Sequence, residues 1–323
     1  MPPRSALVLV LLLLVAVASG VALGSVTLPP AELWHALTVG GGSAGSIVRD
    51  VRLPRVALGA LVGAGLGMSG AALQGTLRNP LAEPYLLGVS GGAAVGAVLA
   101  VVLAGAQGLL VPLSAFAGAL VAVLVVLVVA RASGARGDAR LLLMAGVIVG
   151  AFANAAIMVA LANAPANTVR GATWWMMGSL ADADWFQVKW LCAFVATGGG
   201  ALTWMAPTID VLALGDEAAA ALGVEPDVAS RRVYLAGSLL AAATVAAAGL
   251  VGFVGLVVPH LARRAGARAH RGAILASALA GAALVIAADV IARVALRPTE
   301  LPLGAVTALV GVPFFLVRLR SVA

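Results

Sequence analysis

Residues 231–264 read RRVYLAGSLLAAATVAAAGLVGFVGLVVPHLARR. Between the two arginine pairs, Val233–Ala262 is dominated by apolar residues. One straight helix over these thirty residues would run about 45 Å, against a hydrocarbon core near 30 Å. Basic residues favour the cytoplasmic side of a membrane, and here they flank both ends. With both ends on one side, the chain must go out and return. Gly249, Gly252, Gly255 and Pro259 supply the breaks. The stretch therefore reads as two membrane segments, the second short.

The rest of the chain agrees. Of its 323 residues, 62% are hydrophobic and only 10% charged, with a mean hydropathy of +1.09. A soluble domain carries roughly a quarter charged residues, so most of this chain needs lipid as solvent. Further apolar runs long enough to span occur at about 6–25, 56–77, 86–106, 112–130, 141–163, 186–206, 273–292 and 302–319. The expected fold class is an all-α polytopic membrane protein of about ten helices, forming one transmembrane domain over 1–323. A β-barrel would instead show alternating segments of about ten residues. The 39 glycines and many alanines suit close helix approach in lipid. Met1 to Ser25 has the makings of either a cleaved signal peptide or an uncleaved first helix, and is read as the latter.

With the N-terminus inside, ten crossings put most of the 20 Lys and Arg in the cytoplasm, Arg78, Arg131, Arg231 and Arg263 among them. Arg49, Arg52, Arg55, Arg170, Lys189, Arg293 and Arg297 fall outside, in clusters that call for a reason. The net charge of +7 does not point to nucleic acid, because the basic residues cap apolar runs rather than forming a soluble basic face. Residues 168–184, with Trp174 and Trp175, suit an interfacial helix on the outer surface. Residues 207–232 form the longest polar loop. Within it Asp216 and Glu217 open a short helix that Gly223 closes, which suits either a docking knob or a plain connector.

Several chemistries have little support. Lys189 is the only lysine, so no Gly-Lys-Ser/Thr phosphate loop exists and any ATP-driven work belongs to another polypeptide. His35, His260 and His270 lack metal-ligand spacing, and Cys192, the single cysteine, reads as a small buried hydrophobe. Gly67-Met68-Ser69-Gly70 matches the Gly-x-Ser-Gly of rhomboid-type intramembrane serine proteases, with His260 as a conceivable base. Ten segments exceed that family's number, and small residues are expected in this run for packing. Intramembrane acids are few, which disfavours an ion-coupled carrier. Asp289 is spaced to pair with Arg293 at i,i+4.

A set of motifs, in order along the chain, resembles the FecCD/BtuC-type permease subunits of ABC importers for iron chelates, haem and vitamin B12. They are Arg52-Leu53-Pro54-Arg55, Gln74, Arg78-Asn79-Pro80-Leu81-Ala82-Glu83-Pro84, Leu87-Gly88-Val89-Ser90-Gly91-Gly92, Trp175-Met176-Met177-Gly178, Gly215-Asp216-Glu217 with Leu222-Gly223, Gly252 to His260, and Glu300-Leu301-Pro302-Leu303-Gly304. The resemblance implies the type II ABC importer permease fold and a homodimer in a bacterial inner membrane, with both termini cytoplasmic. It implies two ATP-binding subunits, which carry ATP and Mg, docked on the loop with Leu214, Gly215, Asp216, Glu217, Leu222 and Gly223. It also implies an extracytoplasmic substrate-binding protein docked on Arg52, Arg55 and Arg293. The chain itself would hold no cofactor, metal or catalytic residue. By position, Asn79, Leu81 and Asp138 belong to gating loops. Asn154 and Asn163 suit either pathway lining or interhelical hydrogen bonds. The cargo expected is a metal chelate passing by alternating access, a ferric siderophore first and cobalamin or haem next.

Overall fold

The structure, a computed structural model, describes residues 1–105, 108–132 and 139–320. In chain order the helices are α1 (Pro3–Ala22), α2 (Pro30–Thr38), α3 (Gly42–Ser46), α4 (Leu53–Thr76), α5 (Val89–Ala104), α6 (Leu110–Ala132), α7 (Ala139–Ala162) and α8 (Ala166–Met176). They continue with α9 (Trp185–Trp204), α10 (Ala206–Leu212), α11 (Asp216–Ala221), α12 (Pro226–Ala248), α13 (Val254–Arg264), α14 (His270–Val294) and α15 (Leu303–Arg320). A π-helical turn, Ile47–Arg52, joins α3 to α4, and a 3-10 turn, Pro84–Leu87, precedes α5. No strand occurs among the described residues.

Ten of these helices, α1, α4 to α7, α9 and α12 to α15, fall on the ten apolar segments. By length and composition, Pro3–Ala22, Gly42–Thr76, Leu110–Ala132, Leu141–Ala162 and His270–Val294 are each sufficient to cross a membrane. The opening stretch divides as its glycines require. α12 ends at Ala248, Gly249 and Phe253 take positive φ, and α13 begins at Val254. With 11 residues, α13 is about 16 Å long, half the thickness of a bilayer core.

Unwound backbone at membrane depth must find its hydrogen bonds within the protein. Three segments satisfy this break. Glu83 Oε1 accepts the Phe253 N–H at 2.7 Å, Tyr85 Oη accepts that of Val251 at 3.0 Å, and the Ala248 carbonyl accepts that of Ser179 at 2.9 Å. Gln74 Nε2 donates to the carbonyls of Gly255 and Leu256.

α4 is the hub, with α9, α12, α13 and α14 around it. It meets α14 backbone to backbone: a Cβ on Gly63 would fall on the Gly281 carbonyl oxygen, and one on Gly281 on that of Gly63. One helical turn on, Gly67 faces the Ser277 carbonyl in the same way. Small residues of this kind let helices associate where lipid removes the hydrophobic drive. α5, α6 and α7 form a second group, joined to the first through α12.

Three expectations need correction. The helix expected over 168–184 stops at Met176. Beyond it the chain enters the bundle, where the Met177 and Gly178 carbonyls accept the N–H groups of Gly304 and Leu303. Those N–H groups open α15 and have no partner within it, which draws residues 177–178 inward. In the 207–232 loop, α12 already begins at Pro226, so Arg231 and Arg232 are helical. Cys192 is exposed rather than buried, because α9 packs through Leu191 and Leu202, about a quarter turn away on the helix.

Candidate functional site

Two opposite ends of the bundle gather the polar residues. At the first, Arg52, Arg55 and Arg293 meet as the sequence grouped them, yet their exposures are only 3%, 5% and 2%. Each guanidinium is held internally. Arg52 Nη1 donates to the carbonyls of Val21 and Ala22, both at 2.8 Å, and Nη2 to that of Val26 at 2.5 Å. Arg293 donates to the carbonyls of Leu23 at 3.0 Å and Gly20 at 3.2 Å. All of these acceptors but Val26 lie at the end of α1, where helix carbonyls lack intrahelical partners and the dipole favours a cation.

Two carboxylates complete the cluster. Asp289 receives Arg55 at 2.9 Å and Arg293 at 2.9 Å, the latter being the i,i+4 pair expected from spacing. Glu300 takes Arg55 in a two-pronged contact, Nη1 to Oε1 at 3.1 Å and Nη2 to Oε2 at 2.8 Å. Three arginines thus share two acids and a set of backbone carbonyls. The expectation that all three arginines are presented to a docking protein differs from this arrangement. Of the basic residues expected on that side, the exposed ones are Arg49, Arg170, Lys189 and Arg297. Glu300 carried no role in the sequence reading, although it opens the last motif.

At the other end stands α11. Gly215 precedes it at φ +110°, and Gly223 closes it at φ +80°, with the N–H groups of Gly223 and Val224 bonded to the carbonyls of Ala220 and Ala219. Ala219 turns inward against Leu212 and Ala229. Leu214 and Leu222 flank the helix and are 66% and 62% exposed. Asp216 and Glu217 also face outward. Arg78 Nη2 lies 3.0 Å from both carboxylate oxygens of Asp216. Asp210 Oδ1, on α10, accepts the His270 N–H at 2.9 Å and lies 2.6 Å from His270 Nδ1, which ties this end to the start of α14.

Asn79 and Leu81 adjoin Arg78, and the Asn79 side chain accepts the Leu81 N–H at 2.9 Å. Asn154 and Asn163 are exposed, the first on α7 and the second just beyond it. Asp138 lies outside the described residues. Ser69 is fully buried and donates to the Gly237 carbonyl at 2.8 Å, an arrangement for packing rather than nucleophilic attack. Among the described residues, no group of three or more His, Cys, Asp or Glu is placed to hold a metal.

A helical bundle with an unwound, internally bonded break and a short exposed helix at one end defines a membrane permease of the type II ABC importer fold. Residues 10–321 match the FecCD transport family, and the chain belongs to that family. It is 43% identical over 275 residues to the cobalamin import system permease protein BtuC of Halobacterium salinarum, covering 85% of this chain and 73% of that one. Similarity to the hemin transport system permease protein HmuU of Yersinia pestis is 37%, covering 97% and 95%. A solved metal-chelate type ABC transporter in an inward-facing conformation superposes with a TM-score of 0.87 at 27% identity, covering 99% of this chain and 100% of that chain.

Proposed function

We propose that this chain is the membrane subunit of an ATP-driven importer that moves a metal chelate through the interface of a homodimer by alternating access. The observation that carries the reading is α11: a short helix flanked by two exposed leucines, on a membrane bundle that lacks any phosphate-binding loop. Leu214, Gly215, Glu217, Leu222 and Gly223 form the surface on which an ATP-binding subunit, with its ATP and Mg, would seat, and Asp216 acts in coupling from the start of the helix they surround. This end is then cytoplasmic, as are both termini, and the membrane is a bacterial inner membrane. The chain is not itself an enzyme in this reading and holds no cofactor of its own.

The exposed apolar face of α7, with Phe152, Met158 and Val159, supports a second copy against this side of the bundle. Asn154 and Asn163 would then approach the shared pathway, and Asn79, Leu81 and Asp138 its cytoplasmic gate. ATP binding would draw the two engines together, and only contacts that differ between the two states can pass that movement on. At the outer end a substrate-binding protein would dock at the corner of Arg52, Arg55 and Arg293. Its carboxylates would first meet the exposed Arg49 and Arg297, and would reach Arg55 by displacing Glu300, whose side chain is 25% exposed. A ferric siderophore is ranked first as cargo, with cobalamin and haem next; relatives are named for the import of cobalamin, hemin and Fe(3+)-citrate. The ligand that co-purifies with the partner binding protein would decide among them.

The test is reconstitution in vesicles with and without ATP-binding subunits. ATP-dependent uptake is expected only with them, and Leu222→Arg should abolish their co-purification with this chain. Uptake driven by an ion gradient through this chain alone would refute the proposal in favour of a carrier.

A further inference from the structure

Arg78 holds an uncommon backbone position. It follows α4 in the left-handed region, at φ +48°, and among the described residues only Phe253 is a second non-glycine with positive φ. The hydrogen bonds there are those of a glycine-type helix stop: Arg78 N–H to the Gly75 carbonyl at 3.3 Å and Asn79 N–H to the Gln74 carbonyl at 3.2 Å. Glycine adopts this conformation without steric cost, whereas an L-residue with a long side chain does not. The helix stop alone therefore does not account for an arginine here.

The side chain supplies an account. Its guanidinium spans from α4 to the start of α11, 3.0 Å from both oxygens of Asp216, and a Cβ built on Gly215 would lie 3.4 Å from Nη1. Both members of the pair are substantially exposed, 41% and 62%. An exposed ion pair contributes little to folding, so its worth lies elsewhere. It joins the exposed helix to the end of the hub helix, immediately before the turn that carries Asn79 and Leu81.

We infer that Arg78 is a positioning residue that fastens α11 to the end of α4. Asp216, although exposed, is then engaged by Arg78 rather than by the ATP-binding subunit. Movement of α11 is passed through this pair to the Asn79–Leu81 turn. The inference rests on the proposed seating of an ATP-binding subunit on α11.

Arg78→Gly separates fold from linkage, because it removes the guanidinium while leaving the residue that the helix stop prefers. Reconstituted with its ATP-binding subunits and binding protein, this variant should assemble and hydrolyse ATP as the unaltered chain does. Uptake per ATP hydrolysed should fall about fivefold, the upper range for one exposed ion pair. The exchanged pair, Arg78→Asp with Asp216→Arg, should restore most of that ratio, which a merely structural role would not. An unchanged ratio in Arg78→Gly, or no recovery in the exchanged pair, overturns the inference. So does loss of the ATP-binding subunit on Asp216→Asn alone, since that places Asp216 on the partner. If Leu222→Arg still binds that subunit, the underlying seating on α11 fails instead.

Discussion

Replacing Asp289 with alanine removes the one carboxylate that both Arg55 and Arg293 approach at 2.9 Å. All three side chains are almost fully buried, so the two guanidinium groups cannot turn to water. Breaking a buried pair by deleting one partner costs about 3–5 kcal/mol, because a charge is left uncompensated. Two contacts soften the loss. Arg55 keeps its two-pronged contact with Glu300, and Arg293 keeps the carbonyls of Gly20 and Leu23. The expected cost of Asp289→Ala is therefore near the lower bound, ~3 kcal/mol. The second half of the test is Arg293→Met in the same background. If the penalty comes from a stranded cation, removing that cation should recover part of it, and the double variant should be more stable than Asp289→Ala by roughly 1 kcal/mol. Equilibrium unfolding in mixed micelles, run as a double-mutant cycle, measures both quantities. A cost for Asp289→Ala below about 1 kcal/mol, or a double variant no more stable than the single, would refute the idea that charge compensation holds this corner.

Glu300→Gln weakens the internal grip on Arg55 and should free it for carboxylates from outside. Affinity of the binding protein for vesicles containing the importer is expected to rise about fivefold, the effect of roughly 1 kcal/mol, and an unchanged Kd would show that Glu300 does not compete. Gly63→Ala forces a methyl group onto the Gly281 carbonyl and should cost about 1–3 kcal/mol as overpacking. Gly150→Ala, which meets open space within the chain, should leave thermal stability in detergent unchanged.

Much of the fold was written locally. The break between α12 and α13 follows from a run too long for one span and from its glycines, and the stop of α11 follows from Gly223. The Asp289–Arg293 pair needed only the i,i+4 rule. The contacts that turn the outer arginines inward were not legible in the same way. Glu300 lies 245 residues from Arg55 along the chain, and Arg52 is held by backbone carbonyls that no side-chain pattern announces. A count of basic residues at the outer ends of spans assigns them a side of the membrane and says nothing about burial. The inward course of residues 177–178 was hidden for a related reason. It answers unpaired N–H groups of α15, which appear only once the helices are assembled.

The meeting of α4 and α14 at Gly63 and Gly281 bears on how such a molecule can move. With no side chains between the two backbones, there is no deformable layer along which one helix can slide past the other. In the proposed alternating-access cycle the pair would form a stator, with displacement taken up around it, by α7 with its open outer face and by elements that meet α4 and α14 through larger side chains. A clamp bridging α4 and α14 would therefore leave turnover intact, while one pinning α7 to α5 would stall it.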